Sequence, residues 1–118
     1  MQKILIIVHA PPYGSERCLS ALRLALALAG REGKRPLLDV FLMSDATVLA
    51  LPNQQDASGN TLQQMVEQLT GHGVPVRLCK TCAGNRGLLD LKLIEGVTIG
   101  TLAELAEATV QADKVITF

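Results

Sequence analysis

The stretch Ile4-Leu5-Ile6-Ile7-Val8 is an uninterrupted run of large aliphatic residues near the start of the chain. Such a run fits a β-strand that is buried on both faces, as in a parallel sheet, because a half-exposed strand would alternate with polar residues. The turn-forming segment Pro11-Pro12-Tyr13-Gly14 comes next. Aliphatic residues then recur at helical spacing from Leu19 to Ala29, so the chain begins as strand, loop and helix.

Residues typical of helix caps flank this first helix. Ser15 is expected to cap its start, with Glu16 in the first turn, and Gly30 is expected to end it. Cys18 falls in the first turn and is expected to pack in the core, since thiols often behave as small hydrophobic groups.

The same alternation continues along the chain. Strands are predicted at residues 36–43, 74–79 and 115–118, and helices are predicted from Asn60 to Gly71 and from the capping-box motif Thr101-Leu102-Ala103-Glu104 onward. Residues 44–59 form the longest irregular stretch, and residues 88–97 fit neither type of element clearly. The apolar pieces Val48–Leu51 and Leu88–Ile94 suit either subunit contacts or a second layer of core.

Alternating strands and helices with short connections predict an α/β fold. We expect residues 1–118 to form a single three-layer domain, with a mostly parallel sheet of four or five strands and helices on both faces. Ligands in such folds bind at the carboxyl ends of the strands, beside a topological switch point. Three predicted loops lie at that edge, at residues 9–15, 44–45 and 79–87.

Composition disfavours several classes of partner. The chain has 11 basic and 11 acidic residues, which gives no support to non-specific binding of nucleic acid or anionic membranes. One Tyr, two Phe and no Trp make base-stacking platforms improbable. No run has transmembrane length and none resembles a signal-peptide core, so we expect reduced thiols in the cytoplasm and neither nucleic-acid nor membrane partners.

The segment Cys79-Lys80-Thr81-Cys82 follows the third predicted strand and carries the most informative chemistry. Arg86 lies just beyond it, and neighbouring positive charge from Lys80 and Arg86 would favour the reactive thiolate. Four interpretations fit this pattern: a persulfide carrier, a dithiol redox centre, a metal site or a buried core thiol. An odd total of three cysteines speaks against a fully paired disulfide framework.

Cys79 is the leading candidate for a sulfur-holding residue. Its thiolate would attack the outer sulfur of a donor persulfide, hold that sulfur and present it to an acceptor. Cys82 would either resolve such a persulfide into a disulfide or simply line the loop. Gly84 and Gly87 disfavour a long helix after the motif. No metal is expected, because structural zinc needs four ligands and a second paired motif is lacking; no cofactor is expected either.

Polar residues in the other two loops are candidates for shaping the mouth of the site: Tyr13, Gly14, Ser15, Ser44 and Asp45. Turn and cap chemistry explains the same residues equally well. His9, at the end of the first strand, would approach Cys79 if the first and third strands were neighbours. Otherwise His9 is a hydrogen-bonded residue at the edge of the sheet.

Four segments resemble the DsrE/DsrF-like family, and within it the YchN-like proteins. They are Ala10-Pro11-Pro12-Tyr13-Gly14-Ser15-Glu16, Phe41-Leu42-Met43-Ser44-Asp45-Ala46, Val74 to Cys82 with Arg86-Gly87, and Ala112 to Phe118. The resemblance implies a compact α/β fold in a cytoplasmic hexamer. In the sulfur-relay members a cysteine eight residues before the glycine of an Arg-Gly pair carries a persulfide, and that position corresponds to Cys79.

The resulting hypothesis is that the protein is a small cytosolic sulfur carrier and less an enzyme with catalytic turnover. It would accept sulfur on Cys79 and pass it to a partner. Its partners would be a sulfur-donor protein, a sulfur-acceptor protein and further copies of itself. The alternatives are a dithiol redox protein that uses Cys79 and Cys82, and a non-catalytic oligomeric module.

Overall fold

The aliphatic run at residues 4–8 forms the first strand of a parallel sheet in the computed structural model, which describes residues 1–55, 59 and 62–118. The described strands are β1 Lys3–Val8, β2 Leu37–Leu42, β3 Val76–Cys79, β4 Val97–Gly100 and β5 Lys114–Thr117. The α-helices are α1 Arg17–Ala29, α2 Gln63–Gly71, α3 Lys80–Asn85 and α4 Leu102–Gln111, and a 3₁₀ helix spans Ser44–Ala50.

The five strands lie in the order β4-β3-β2-β1-β5, and every neighbouring pair is parallel. The chain moves outward strand by strand from β1 to β4 and then returns to place β5 on the other side of β1. The topological switch point therefore lies between β1 and β5. The predicted cysteine loop follows β3, so it shares the carboxyl edge with the switch point but does not adjoin it.

The larger core lies on the face of the sheet that α1 and α2 cover. Alternate residues of the strands point into it, including Ile6, Val40 and Leu78, each at most 2% exposed. This alternation follows from the two-residue period of a strand. Leu22 of α1 and Leu69 of α2 close the cluster from the helix side. Most of the buried apolar residues that the structure describes belong to this cluster.

A smaller core lies on the opposite face, beneath α4. Its buried residues are Leu5, Phe41 and Leu105, and the partly buried Ile7, Met43, Ala108 and Ala112 pack against them. Helices therefore cover both faces of the sheet, which confirms the predicted three-layer α/β architecture.

Several predicted elements are confirmed with shifted boundaries. The capping box at α4 is present, since the Thr101 hydroxyl accepts from the Glu104 amide and the Glu104 carboxylate accepts from the Thr101 amide. The predicted cap of α1 is wrong by one residue: Glu16 occupies the cap, while the Ser15 hydroxyl accepts a 3.4 Å bond from the Arg17 amide. Asn60, the expected cap of α2, lies outside the described residues.

The two ambiguous stretches resolve differently. Residues 44–50 are not irregular but form the 3₁₀ helix, and Leu49 and Ala50 are buried in the larger core. In the stretch 88–97, Leu88 and Ile94 are buried in the core, while Leu89 and Leu91 remain exposed. Val48–Leu51 is therefore largely core. The stretch 88–97 instead directs some apolar side chains into the core and others to the solvent. No helix among the described residues is long and apolar enough to span a membrane.

Candidate functional site

Cys79 is the last residue of β3 and also caps the start of α3, with the extended backbone angles φ −61° and ψ 123°. Val76 and Leu78 face the larger core, so alternation along the strand turns Cys79 to the other face of the sheet. It pairs in register with Gly100 of β4 and is only 4% exposed. The predicted position at the carboxyl edge is confirmed, but the thiol is covered within the subunit.

Cys82 is the third residue of α3, one helical turn beyond Cys79. Cys82 is partly exposed, and both cysteines are free thiols. The expected loop is in fact a short helix that includes Gly84, and Gly87 follows the helix at φ +72°. The motif therefore presents two neighbouring thiols of unequal exposure.

Arg86 connects α3 to the 3₁₀ helix that follows β2. Its Nε lies 3.0 Å from Oδ1 of Asp45, and its Nη1 donates a 3.1 Å hydrogen bond to the backbone carbonyl of Cys82. Asp45 and Arg86 are both candidate site residues from the sequence, and the structure brings these two into contact. The guanidinium engages a carboxylate and a carbonyl and thereby holds the turn that carries Cys82. Lys80 is exposed in the first turn of α3.

Ser44 has a backbone conformation that non-glycine residues seldom adopt, with φ +51°. It directly follows Met43, at the end of β2 and beside the strand that carries Cys79. The buried Thr47 hydroxyl donates a 2.7 Å bond to the Ser44 carbonyl and stabilises this bend. Strained backbone of this kind clusters at functional sites, which supports the prediction that Ser44 helps to shape this edge.

The candidate site residues in the loop after β1 lie at the carboxyl edge of the sheet but away from the cysteine motif. His9 donates its amide to the carbonyl of Phe118 at 2.8 Å, next to β5, and β2 stands between β1 and β3. The two strands are therefore separated by about 10 Å. The condition under which His9 would approach Cys79 is not met, and the alternative of a hydrogen-bonded edge residue fits the structure.

Tyr13 and Ser15 line a cleft of about 420 Å³ between the β1–α1 loop, the 3₁₀ helix and α2. Gly14 makes the turn between them at φ +89°, and the Tyr13 hydroxyl donates to Oε1 of Gln54 across the cleft. The described lining includes neither Cys79 nor Cys82. The sequence analysis did not predict this cleft as a separate feature. The turn-forming loop after β1 could have indicated it, because ligand sites in such folds lie at the carboxyl ends of strands.

Metal ligands are not clustered in the part of the chain that the structure describes. No group of three or more His, Cys, Asp or Glu side chains is placed to hold a metal ion there.

Cys18 is fully buried in α1, as predicted. Burial raises the pKa of its thiol from 9.0 to about 11, because the charged thiolate is poorly solvated there. This group's contribution to stability is complete below pH 9.0 and is lost as the pH rises through about 11. A pKa shift of this size corresponds to about 3 kcal/mol in the free energy of unfolding.

We therefore expect the stability advantage of the parent over Cys18→Ala to shrink between pH 9 and pH 11. Urea unfolding of both proteins at several pH values measures this difference. A gap that stays constant over that interval would show that the Cys18 thiol titrates alike in the folded and unfolded chains.

The parallel sheet and its covering helices define a small α/β protein that carries two free thiols at the carboxyl edge of β3. A profile of the DsrE/DsrF-like family matches residues 2–118, and the chain belongs to this family. It is 52% identical to Protein YchN of Escherichia coli (strain K12) over 118 residues, covering all of both chains. It is 31% identical over 128 residues to Sulfurtransferase TusD of Salmonella typhi, covering 96% of this chain and 97% of that protein.

Solved structures agree with the fold. The crystal structure of the ychN protein from E. coli superposes with a TM-score of 0.94 at 52% identity, covering 100% of both chains. A protein of unknown function, MTH1491 from Methanobacterium thermoautotrophicum, covers both chains fully with a TM-score of 0.78 at 16% identity, a likeness of fold alone.

Proposed function

We propose that the protein is a small cytoplasmic sulfur carrier that holds sulfur as a persulfide on Cys79. The observation that supports this most directly is the placement of Cys79 where β3 ends and α3 begins, in a family that includes sulfurtransferase relatives. The thiolate of Cys79 would bond to the outer sulfur of a donor persulfide while the bond between the two donor sulfurs breaks. The donor leaves as a thiolate, and the reverse step delivers the sulfur to an acceptor.

The proposed partners are a sulfur-donor protein, a sulfur-acceptor protein and further copies of the chain, assembled as a hexamer. Exposed apolar side chains on α4 and β5 are candidate contacts for self-association, because contiguous apolar surface often marks an interface. Leu102 is 66% exposed, Val110 is 82% exposed and Val115 is 44% exposed. Sedimentation tests this part, and a purely monomeric species at micromolar concentration would contradict it.

Replacing Cys79 by serine is expected to abolish stable sulfur loading. Serine keeps the size of the side chain but cannot form a persulfide. The parent, treated with inorganic polysulfide and freed of excess reagent, should gain the mass of sulfur and pass it to a small thiol acceptor. Intact mass spectrometry measures the gain.

Cys18→Ser serves as the control, since Cys18 is buried and its pKa is raised to about 11. It should load as the parent does. If Cys79→Ser retains and delivers as much sulfur as the parent, the assignment to Cys79 is wrong.

A dithiol redox function is a second candidate, favoured by the spacing of Cys79 and Cys82 at the cap and third residue of α3. A cap and a third helical residue lie about one turn apart, and a disulfide usually joins Cα atoms about 4.4–6.8 Å apart. Mild oxidation would then remove two hydrogens from the parent but not from Cys82→Ser. Reversal by a thioredoxin-type reductant, with no capacity to hold sulfur, would favour this function over the carrier. A non-catalytic oligomeric module would instead tolerate both cysteine substitutions.

A further inference from the structure

The two thiols of the motif are unequally exposed, and this difference bears on which of them a protein donor can reach. Cys79 is 4% exposed, whereas Cys82 is partly exposed on the first turn of α3. Exchange between sulfurs is a displacement in which the attacking, central and leaving sulfurs lie nearly in line. A persulfide carried on another protein needs open space along that line, so it reaches Cys82 more easily than Cys79.

The same geometry permits sulfur to move between the two cysteines. They occupy the cap and the third position of one short helix, about one turn apart. Arg86 fixes the backbone at this turn through its bond to the Cys82 carbonyl, and Asp45 fixes Arg86 in turn. These two contacts hold the turn that carries Cys82, and neither of them involves a thiol.

We propose that Cys82 is the receiving thiol and Cys79 the holding thiol for sulfur delivered by a protein donor. This inference rests on the proposed function of Cys79. In the first step the Cys82 thiolate bonds to the outer donor sulfur, and the donor leaves as a thiolate. In the second step the Cys79 thiolate bonds to that same sulfur, and Cys82 is released as a thiolate. Each step makes one S–S bond, breaks one, and leaves the overall oxidation state unchanged.

Attack by Cys79 on the other sulfur of the Cys82 persulfide would give a different product. That step would form a Cys79–Cys82 disulfide and release hydrosulfide, so the cargo would be lost. Transfer to the holding thiol therefore requires attack on the outer sulfur, and the two outcomes are separable by mass.

The sequence itself provides a means of telling the two cysteines apart. Arg77, Lys80 and Arg86 are cleavage sites for trypsin, which would release Leu78-Cys79-Lys80 and Thr81-Cys82-Ala83-Gly84-Asn85-Arg86 as separate peptides. Samples loaded for increasing times, alkylated at once and digested would report the sulfur on each cysteine. We would use persulfidated serum albumin as the protein donor and inorganic polysulfide as the small donor.

With the albumin donor, sulfur should appear first on the Cys82 peptide and then accumulate on the Cys79 peptide. Cys82→Ser should slow the loading of Cys79 from albumin at least tenfold, while loading from polysulfide changes less than twofold. Cys79→Ser should carry sulfur on Cys82 only while the albumin donor is present and should retain none once the donor is removed. Cys18→Ser should behave as the parent does.

Each contrary result has its own meaning. If Cys82→Ser loads Cys79 from albumin at the parent rate, the route through Cys82 is wrong while the carrier function stands. Formation of the Cys79–Cys82 disulfide in place of the Cys79 persulfide would also overturn the route. If the parent gains no sulfur on either peptide from either donor, the proposed function itself fails.

Discussion

Replacing Phe41 by alanine is expected to lower the free energy of unfolding by about 3–5 kcal/mol. Phe41 is 1% exposed in the smaller core, whose only other buried members among the described residues are Leu5 and Leu105. The guanidinium of Arg77 also lies over its ring, 5.5 Å from the centroid. Loss of the ring removes buried apolar area and leaves a cavity that so few neighbours cannot fill.

Urea unfolding at neutral pH measures this loss. Phe41→Leu is the matched control, because leucine keeps most of the apolar volume and should cost less than half as much. A cost below about 1 kcal/mol for Phe41→Ala would show that α4 and the sheet close over the vacated space.

The second large effect is expected at Gly100, which lies opposite Cys79 in the register of β3 and β4. A Cβ atom at this position would lie 2.9 Å from Cε1 of Phe41 and 3.1 Å from Cβ of Arg77. Both distances are shorter than ordinary carbon contacts, and the buried ring has little room to retreat. Gly100→Ala is therefore expected to destabilise the protein by about 1–3 kcal/mol through overpacking.

Gly71→Ala is the control for this prediction, since a Cβ at Gly71 would meet nothing within 4 Å. It should leave stability unchanged or raise it slightly. Combining Gly100→Ala with Phe41→Leu should cost less than the sum of the two single changes, because the smaller side chain relieves the contact. Strict additivity in this cycle would exclude the Phe41 ring as the source of the strain.

The elements of the fold that depend on local pattern were predictable from the sequence. The aliphatic run of β1, the helical spacing of α1 and the capping box at Thr101 are each encoded within a few residues. β4 was missed because Val97–Gly100 is only four residues long and two of its side chains are exposed. A short strand of this kind is specified by pairing with β3, which is distant in sequence.

The candidate site was predictable to a similar degree. The motif could be placed at the carboxyl edge of a strand, because that position follows from the order of strand and loop. The burial of Cys79 and the ion pair between Asp45 and Arg86 depend on which strands are neighbours. That order is a property of the whole sheet, so the sequence could not decide whether His9 lies near Cys79 or is a hydrogen-bonded residue at the edge of the sheet.

The position of β5 beside β1 has a consequence for synthesis of the chain. Ile4 pairs with Lys114, and the Lys3 amide donates to Asp113 across a separation of 110 residues. While the intervening chain is being made on the ribosome, β1 can gain its partner β2 but keeps one edge unpaired. An unpaired strand edge invites pairing with another chain, so nascent molecules are most vulnerable to misassembly just before β5 emerges.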